Sequence, residues 1–136
     1  MNVLFESLLV GIYACFIYLL FFPFVKNFYL LLLVCGFCKH LFSFFFDITT
    51  WYCNNGEACV SVLSQDQSYE ANSDNIIFES FIEALLFVLL GSILTNWVRN
   101  ELLMIFLIGV ILHITFESIG IHRLFCKTKC EKKHAN

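Results

Sequence analysis

The chain has 136 residues, of which 60% are hydrophobic and only 14% are charged, with a formal net charge of −3. Soluble domains carry about 25% charged residues, so this chain has too few to cover a water-soluble surface. A soluble protein of this size would also expose larger apolar patches than monomers tolerate. The composition therefore excludes an ordinary soluble protein and predicts one that lies in a lipid bilayer.

Four apolar runs are long enough to cross a bilayer, which takes about 20 helical residues. None of them alternates as the strands of a membrane barrel do, and backbone groups in hydrocarbon must be satisfied within their own segment. The sequence therefore predicts an all-α integral membrane protein with four transmembrane helices. Their predicted spans are 3–22, 28–46, 76–95 and 102–121.

The sequence matches itself without a gap when residues 3–53 are laid on residues 76–126. The match superimposes uncommon residue types, namely Glu6 and Glu79, Gly36 and Gly109, His40 and His113, and Cys53 and Cys126. Self-similarity at a fixed period indicates an internal duplication. Each repeat contains two predicted helices and crosses the membrane twice, so the fold is predicted to be two parallel-oriented helical hairpins.

A polar loop joins the repeats and a basic tail follows the second one. The loop, residues 54–75, has four acidic residues and no lysine or arginine, whereas the tail, residues 127–136, has four lysines. Both share one side of the membrane with the N-terminus, and the lysines favour the cytoplasmic side for them. The basic patch is too small to predict nucleic-acid binding. We expect the loop and the tail to contact other proteins.

Several polar groups lie inside the predicted helices, where they are costly and normally face the bundle interior. Gly109, His113, Glu117 and Gly120 fall on one face of the fourth helix. Gly36 begins a weaker copy of this stripe in the second helix. Glycines on such a stripe predict a close approach of a neighbouring helix.

Residues at equal depth in each antiparallel hairpin are expected to meet. This places Glu6 near His40 and Glu79 near His113, so we predict one Glu–His contact within each hairpin. A carboxylate beside an imidazole favours the charged forms of both groups.

Lys39 and Glu83 depart from the repeat, because the other copy has Leu112 and Val10 at these positions. The two charges lie at nearly the same depth, which predicts an ion pair between the hairpins. The alternative is that Lys39 extends its flexible stem to the nearer membrane surface. We expect the buried polar groups to hold helices together rather than to conduct ions, since unbroken helices in parallel repeats are atypical of transporters.

Four of the seven cysteines lie on the side of the loop and tail, namely Cys53, Cys59, Cys126 and Cys130. They can form two disulfides if that side is oxidising. Free thiols and a zinc site are the alternatives, although the spacings suit zinc poorly. The sequence has none of the common catalytic or nucleotide-binding motifs, so we predict no enzyme activity, no metal and no cofactor.

The segments GVILHITFESIGIHRLFCK and DITTWYCNNG resemble small membrane proteins of nucleocytoplasmic large DNA viruses. The shared pattern is an apolar helix with His-x-x-x-Glu-x-x-Gly, followed by Trp-Tyr-Cys. Here the pattern is split, since His113, Glu117 and Gly120 keep the helical part and residues 51–53 keep the second part. The first repeat departs from the helical part at two positions, Phe44 and Asp47.

The resemblance implies an inner-membrane or minor capsid protein of a virion. We therefore expect a structural or anchoring protein that links the internal membrane, derived from the host endoplasmic reticulum, to the capsid shell. Loop 54–75 and tail 127–136 would contact capsid or other membrane proteins, and the Phe-rich surfaces would allow homo-oligomers. The alternatives are a subunit or assembly factor of a cellular membrane complex, and a small channel or viroporin.

Overall fold

The computed structural model describes residues 2–133, in which a bundle of long helices carries a smaller cap at one end. In chain order the elements are α1 (Val3–Phe21), α2 (Phe28–Phe45), α3 (Ile48–Asn55), α4 (Glu57–Val62), β1 (Tyr69–Ala71), α5 (Ile76–Leu94), α6 (Glu101–Ser118), α7 (Ile121–Lys129) and β2 (Cys130–Lys132). Helices α1, α2, α5 and α6 form the bundle, and the other elements form the cap.

The bundle helices have the length and composition of transmembrane segments. Each has 18 or 19 residues, with a mean hydropathy between 1.8 and 2.2. A helix rises 1.5 Å per residue, so each spans about 27–29 Å, close to the hydrocarbon thickness of a bilayer. Large apolar side chains are exposed on the outer faces, among them Leu4, Phe16, Phe78 and Leu85. The chain is an all-α, four-helix membrane protein, which confirms the prediction from its composition.

The second helix of each repeat begins at a matching asparagine. The side chain of Asn27 accepts a hydrogen bond from the N–H of Leu30 at 3.0 Å, at the start of α2. The side chain of Asn100 accepts one from the N–H of Leu103 at 2.9 Å, at the start of α6. Each asparagine satisfies a donor that the first helical turn leaves unpaired. The two turns on the side opposite the cap therefore end in the same way.

The bundle helices pair across the repeats rather than within them. The most extensive contacts are those of α1 with α6 and of α2 with α5, whereas helices of the same hairpin share a smaller contact. Since α5 and α6 are the second copies of α1 and α2, the two extensive contacts are equivalent under the duplication. Each repeat therefore packs its first helix against the second helix of the other repeat.

Two matching glycines bring the paired helices into backbone contact. A Cβ atom on Gly109 would lie 3.0 Å from Cα of Gly11, and one on Gly36 would lie 2.7 Å from Cα of Ala84. Both glycines thus allow the close approach expected from the sequence. Gly120 differs, because its φ is +85° and a Cβ atom there would meet nothing within 4 Å. Its role is in the backbone turn rather than in close helix packing, which corrects the prediction for this residue.

Each repeat continues past its second long helix into a short helix of the cap. Asp47, with φ 57°, precedes α3, and Gly120 precedes α7. These two residues coincide when the repeats are aligned, and glycine and aspartate are among the residues that best tolerate positive φ. The fourth span, predicted to reach residue 121, therefore ends at Ser118.

The cap has a small core of its own and a two-stranded antiparallel sheet. Tyr69 of β1 lies opposite Lys132 of β2, and Ala71 lies opposite Cys130. The sheet joins the loop between the repeats to the tail. The buried residues of the cap are Cys53, Ala58, Cys59, Tyr69, Cys126 and Cys130. Loop and tail thus form one folded unit, which the sequence did not predict, and positions 134–136 of the tail lie outside the described residues.

Candidate functional site

Most of the ionisable side chains within the bundle gather at the end nearest the cap, in two clusters. The Lys39 cluster comprises Lys39, His40, Glu79, Glu83 and Lys129. The His113 cluster comprises Glu6, Tyr52, His113, Glu117 and His122. One Glu–His pair of each cluster coincides when the repeats are aligned, so the clusters occupy equivalent positions in the two halves.

Two lysines balance two carboxylates in the Lys39 cluster. Nζ of Lys39 contacts one oxygen of Glu83, and Nδ1 of His40 lies 2.8 Å from the other. Nε2 of His40 lies 3.3 Å from Glu79, whose second oxygen is 2.6 Å from Nζ of Lys129. The side chains of Lys39 and Glu83 are only 13% and 12% exposed. Lys39 therefore joins the hairpins through a buried ion pair and does not extend to the surface.

The His113 cluster contains two carboxylates and two imidazoles. Nε2 of His113 lies 3.1 Å from Oε2 of Glu6, and both side chains are buried. The other oxygen of Glu6 accepts a hydrogen bond from the backbone N–H of Glu57 at 2.6 Å. Nδ1 of His122 lies 2.9 Å from Oε2 of Glu117, and the two imidazole rings are 4.6 Å apart between centroids. The cluster thus connects α1, α6 and α7 with the start of α4.

The Glu–His contacts form between the two hairpins, whereas the sequence predicted one contact within each hairpin. Glu6 contacts His113 rather than His40, and Glu79 contacts His40 rather than His113. Equal depth in a hairpin indicates the height of these groups but not the helix that each group faces. Because the glycine stripes of α2 and α6 face the first helix of the other repeat, the histidines on those stripes face it too.

Burial controls the protonation of the two cluster members that belong to the cap. Burial raises the pKa of Tyr52, and the neighbouring carboxylate of Glu117 raises it further. Burial lowers the pKa of His122, an effect that Glu117 only partly offsets. Tyr52 therefore remains a phenol, whose hydroxyl donates to Glu117 at 3.5 Å, and the neutral form of His122 is favoured.

No known protein family, curated protein or solved structure matches this chain. The viral resemblance therefore depends on its motif residues alone. In the folded chain the two separated parts of that motif meet, since Tyr52 of the second part lies beside His113 and Glu117 of the first.

Two disulfides cross-link the cap within the described part of the chain. Cys53 is bonded to Cys130, and Cys59 is bonded to Cys126. Cys53, at the end of the first repeat, is thus linked to the tail, and Cys126, at the end of the second repeat, is linked to the loop. With these sulfurs in disulfides, neither the zinc site nor the free-thiol alternative applies to these four residues. Disulfides are typical of oxidising compartments, which is opposite to the cytoplasmic side indicated by the tail lysines.

Apolar side chains fill the bundle beyond the two clusters. Ile17, Leu32, Phe87, Ile105 and Ile108 are at most 1% exposed. Within residues 2–133, the ionic network ends at the pair of Lys39 and Glu83, and these apolar side chains occupy the next turns. In the described part of the chain, the clustered ionic groups therefore lie at one end of the bundle, and apolar side chains fill the turns beyond them.

Sequence reasoning missed several members of the clusters. His122 follows Gly120, so a count of helical positions along α6 could not place it on the face of His113 and Glu117. Lys129 and Tyr52 belong to cap helices that were not predicted. The one signal in the sequence was the presence of uncommon residue types just outside the apolar spans.

Proposed function

We propose that this protein is a structural membrane anchor that holds a rigid cap at one surface of a bilayer. The observation that carries the proposal is the pair of disulfides, which cross-link the cap segments that follow the two hairpins. A cap fixed in this way transmits force between the membrane and an attached protein layer without local unfolding. The closed apolar bundle supports anchoring over a channel or viroporin.

The exposed surface of the cap offers charges of both signs to a protein partner. Asp66 and Glu70 are exposed on the loop, and Lys127 and Lys132 are exposed on the tail. Mixed charge suits a specific protein contact better than general attraction to nucleic acid or anionic lipid. The partner is therefore another protein that lies against this side of the membrane.

The motif resemblance extends the proposal to a virion. In that setting the membrane is the internal membrane of the particle, of endoplasmic reticulum origin, and the attached layer is the capsid shell. A cap that faces the capsid starts in the reducing cytosol, so its disulfides would have to form in the particle. In a cellular membrane complex the disulfides would instead form during insertion into an oxidising compartment. The stage at which the disulfides form therefore distinguishes a virion protein from a subunit of a cellular membrane complex.

Site-specific photo-crosslinking tests the anchor. A photoreactive residue at Asp66 or at Lys132 probes the cap, and the same residue at Trp97, which is 75% exposed in a turn at the opposite end, is the matched control. We expect protein adducts from the two cap positions and none from Trp97. Adducts from Trp97 alone would overturn the assignment of the cap as the contact surface.

Fractionation and non-reducing gels test whether the protein belongs to a virion or to a cellular membrane complex. Co-purification with capsid, together with disulfides that appear only in assembled particles, is the result expected for the virion. Disulfides that are complete in cellular membranes, without capsid in the same fraction, would contradict it and favour the cellular complex.

A further inference from the structure

We propose that His113, Glu117 and His122 form a binding site for a divalent transition-metal ion, and that Zn²⁺ is the ion they suit best. This inference is independent of the anchoring function. Two imidazoles with one carboxylate are a common protein ligand set for zinc, and they leave one coordination position for water. One ligand atom of each of the three residues lies within 4.8 Å of the others.

Small side-chain rotations would bring the three donors to bonding distance. Tetrahedral zinc with bonds of about 2.1 Å places its donors about 3.4 Å apart. Nδ1 of His122 and Oε2 of Glu117 are already 2.9 Å apart. Those two atoms would move apart by about 0.5 Å, and the donor of His113, which lies within 4.8 Å of both, would move closer by at most about 1.4 Å. Its ring lies close to that of His122, with 4.6 Å between centroids and an interplanar angle of 49°.

Glu6 holds His113 in the orientation that metal binding requires. A histidine that ligates a metal through one ring nitrogen usually donates the other N–H to a carboxylate. Nε2 of His113 faces Oε2 of Glu6 at 3.1 Å, which leaves Nδ1 for an ion. Glu6 is fixed in turn by the backbone N–H of Glu57. A supporting carboxylate anchored by a backbone hydrogen bond gives the ring one fixed position.

The balance of charge distinguishes this site from its symmetric counterpart. The Lys39 cluster offsets the charges of Glu79 and Glu83 with two lysines. The His113 cluster also has two carboxylates, but no lysine or arginine within residues 2–133 forms an ion pair with Glu6 or Glu117. One divalent cation would supply the same two positive charges that the lysines supply in the other half.

The proposed site is not sealed inside the bundle. The side chains of His122 and Glu117 are 16% and 13% exposed, whereas that of His113 is 6% exposed. Two of the three ligands are therefore partly accessible to an ion from outside the bundle. The hydroxyl of Tyr52 donates a hydrogen bond to Glu117 at 3.5 Å.

The aligned repeat provides the control. The residues that correspond to His113, Glu117 and His122 are His40, Phe44 and Thr49. The first repeat thus keeps the histidine and its carboxylate partner but has no imidazole or carboxylate at the other two ligand positions. A variant at His40 therefore removes an equivalent imidazole without touching the proposed site.

The test uses the full chain in detergent, with its disulfides intact and its free thiols blocked. After chelation and removal of the chelator, Zn²⁺ is added and bound metal per chain is measured. We expect one ion per chain, with affinity weakened at least 10-fold by His122→Gln and by Glu117→Gln, and unchanged by His40→Gln. We expect Glu6→Gln to weaken affinity about 10–100-fold, as for the carboxylate partners of other metal-bound histidines.

X-ray absorption at the zinc edge keeps the proposal testable even if the variants fold poorly. The spectrum of the loaded wild-type chain should show only nitrogen and oxygen ligands. Sulfur in the coordination shell, the loss of binding in His40→Gln alone, or no stoichiometric binding by the wild type would each overturn the proposal.

Discussion

The Lys39 cluster and the His113 cluster occupy equivalent places in the two halves of the bundle, yet they differ in how they manage buried charge. Each has a Glu–His pair at matching positions of the two repeats. One half then has Lys39 and Glu83, where the other has Leu112 and Val10. The other half has Glu117 and His122 in the cluster, where the first repeat has Phe44 and Thr49.

The two halves share the same helix packing but differ in the polar groups that they bury near the cap. The packing contacts at the glycine stripes are alike in both halves, so the halves remain joined in the same way. Glu83 and its counterpart Val10 border these crossings through their backbone carbonyls, so their side chains can differ while the backbone contact is kept. The Lys39 cluster became an ionic link between hairpins, and the His113 cluster gained a set of converging donor atoms.

The largest effect is expected from breaking the ion pair that only one half has. Glu83→Val installs the residue of the other half and leaves Lys39 buried without its main partner. We expect the free energy of unfolding to fall by about 3–5 kcal/mol. Equilibrium unfolding of the purified chain in mixed micelles measures this change.

The matched control replaces both members with their counterparts, as Lys39→Leu together with Glu83→Val. Removing both charges leaves no buried ion, so this double variant should be close to the wild type. If it is as unstable as Glu83→Val alone, the pair does not act as an ionic link.

Removal of either disulfide should lower stability by a similar amount, because each closes a similar length of chain within the cap. Their sequence separations are 77 and 67 residues. Replacing either pair with serine should lower the free energy of unfolding by about 2–4 kcal/mol. Cys15→Ser, at a cysteine outside both disulfides, is the control. Equal stability of the reduced and oxidised wild-type chains would contradict the structural role of the cap.

Substitution of the two glycines at the helix crossings should lower the free energy of unfolding by smaller and unequal amounts. Gly36→Ala places Cβ 2.7 Å from the backbone of Ala84, whereas Gly109→Ala places it 3.0 Å from that of Gly11. Overpacking of this kind costs about 1–3 kcal/mol, and we expect Gly36→Ala to cost more. Ser92→Ala on the exposed face of α5 is the control. Two neutral glycine variants would show that the helices do not meet at these points.

The sequence predicted the bundle because its signals are local or periodic. Apolar length defined the four helices, and matching residues such as Asn27 and Asn100 marked the repeat. Departures from the repeat identified Lys39 and Glu83 as partners, since two opposite charges at one depth in hydrocarbon have few other options.

The remaining features depend on relations that a single sequence does not contain. Equal depth did not decide whether Glu6 faces His40 or His113, because depth carries no information about which helices pair. The start of α3 was not predicted, because it depends on the positive φ of Asp47, which the sequence does not specify. Four cysteines allow three pairings, so the bonds to Cys53 and Cys126 were not predictable.

A double-mutant cycle tests the crosswise pairing of the repeats most directly. Glu6→Gln is combined with His113→Gln in one cycle and with His40→Gln in another, and the free energies of unfolding are compared. Contacting residues couple by about 0.5–3 kcal/mol, whereas distant ones add within about 0.5 kcal/mol. We expect coupling of Glu6 to His113 and none to His40. Coupling to His40 alone would mean that each hairpin folds upon itself and that the two halves do not pair crosswise.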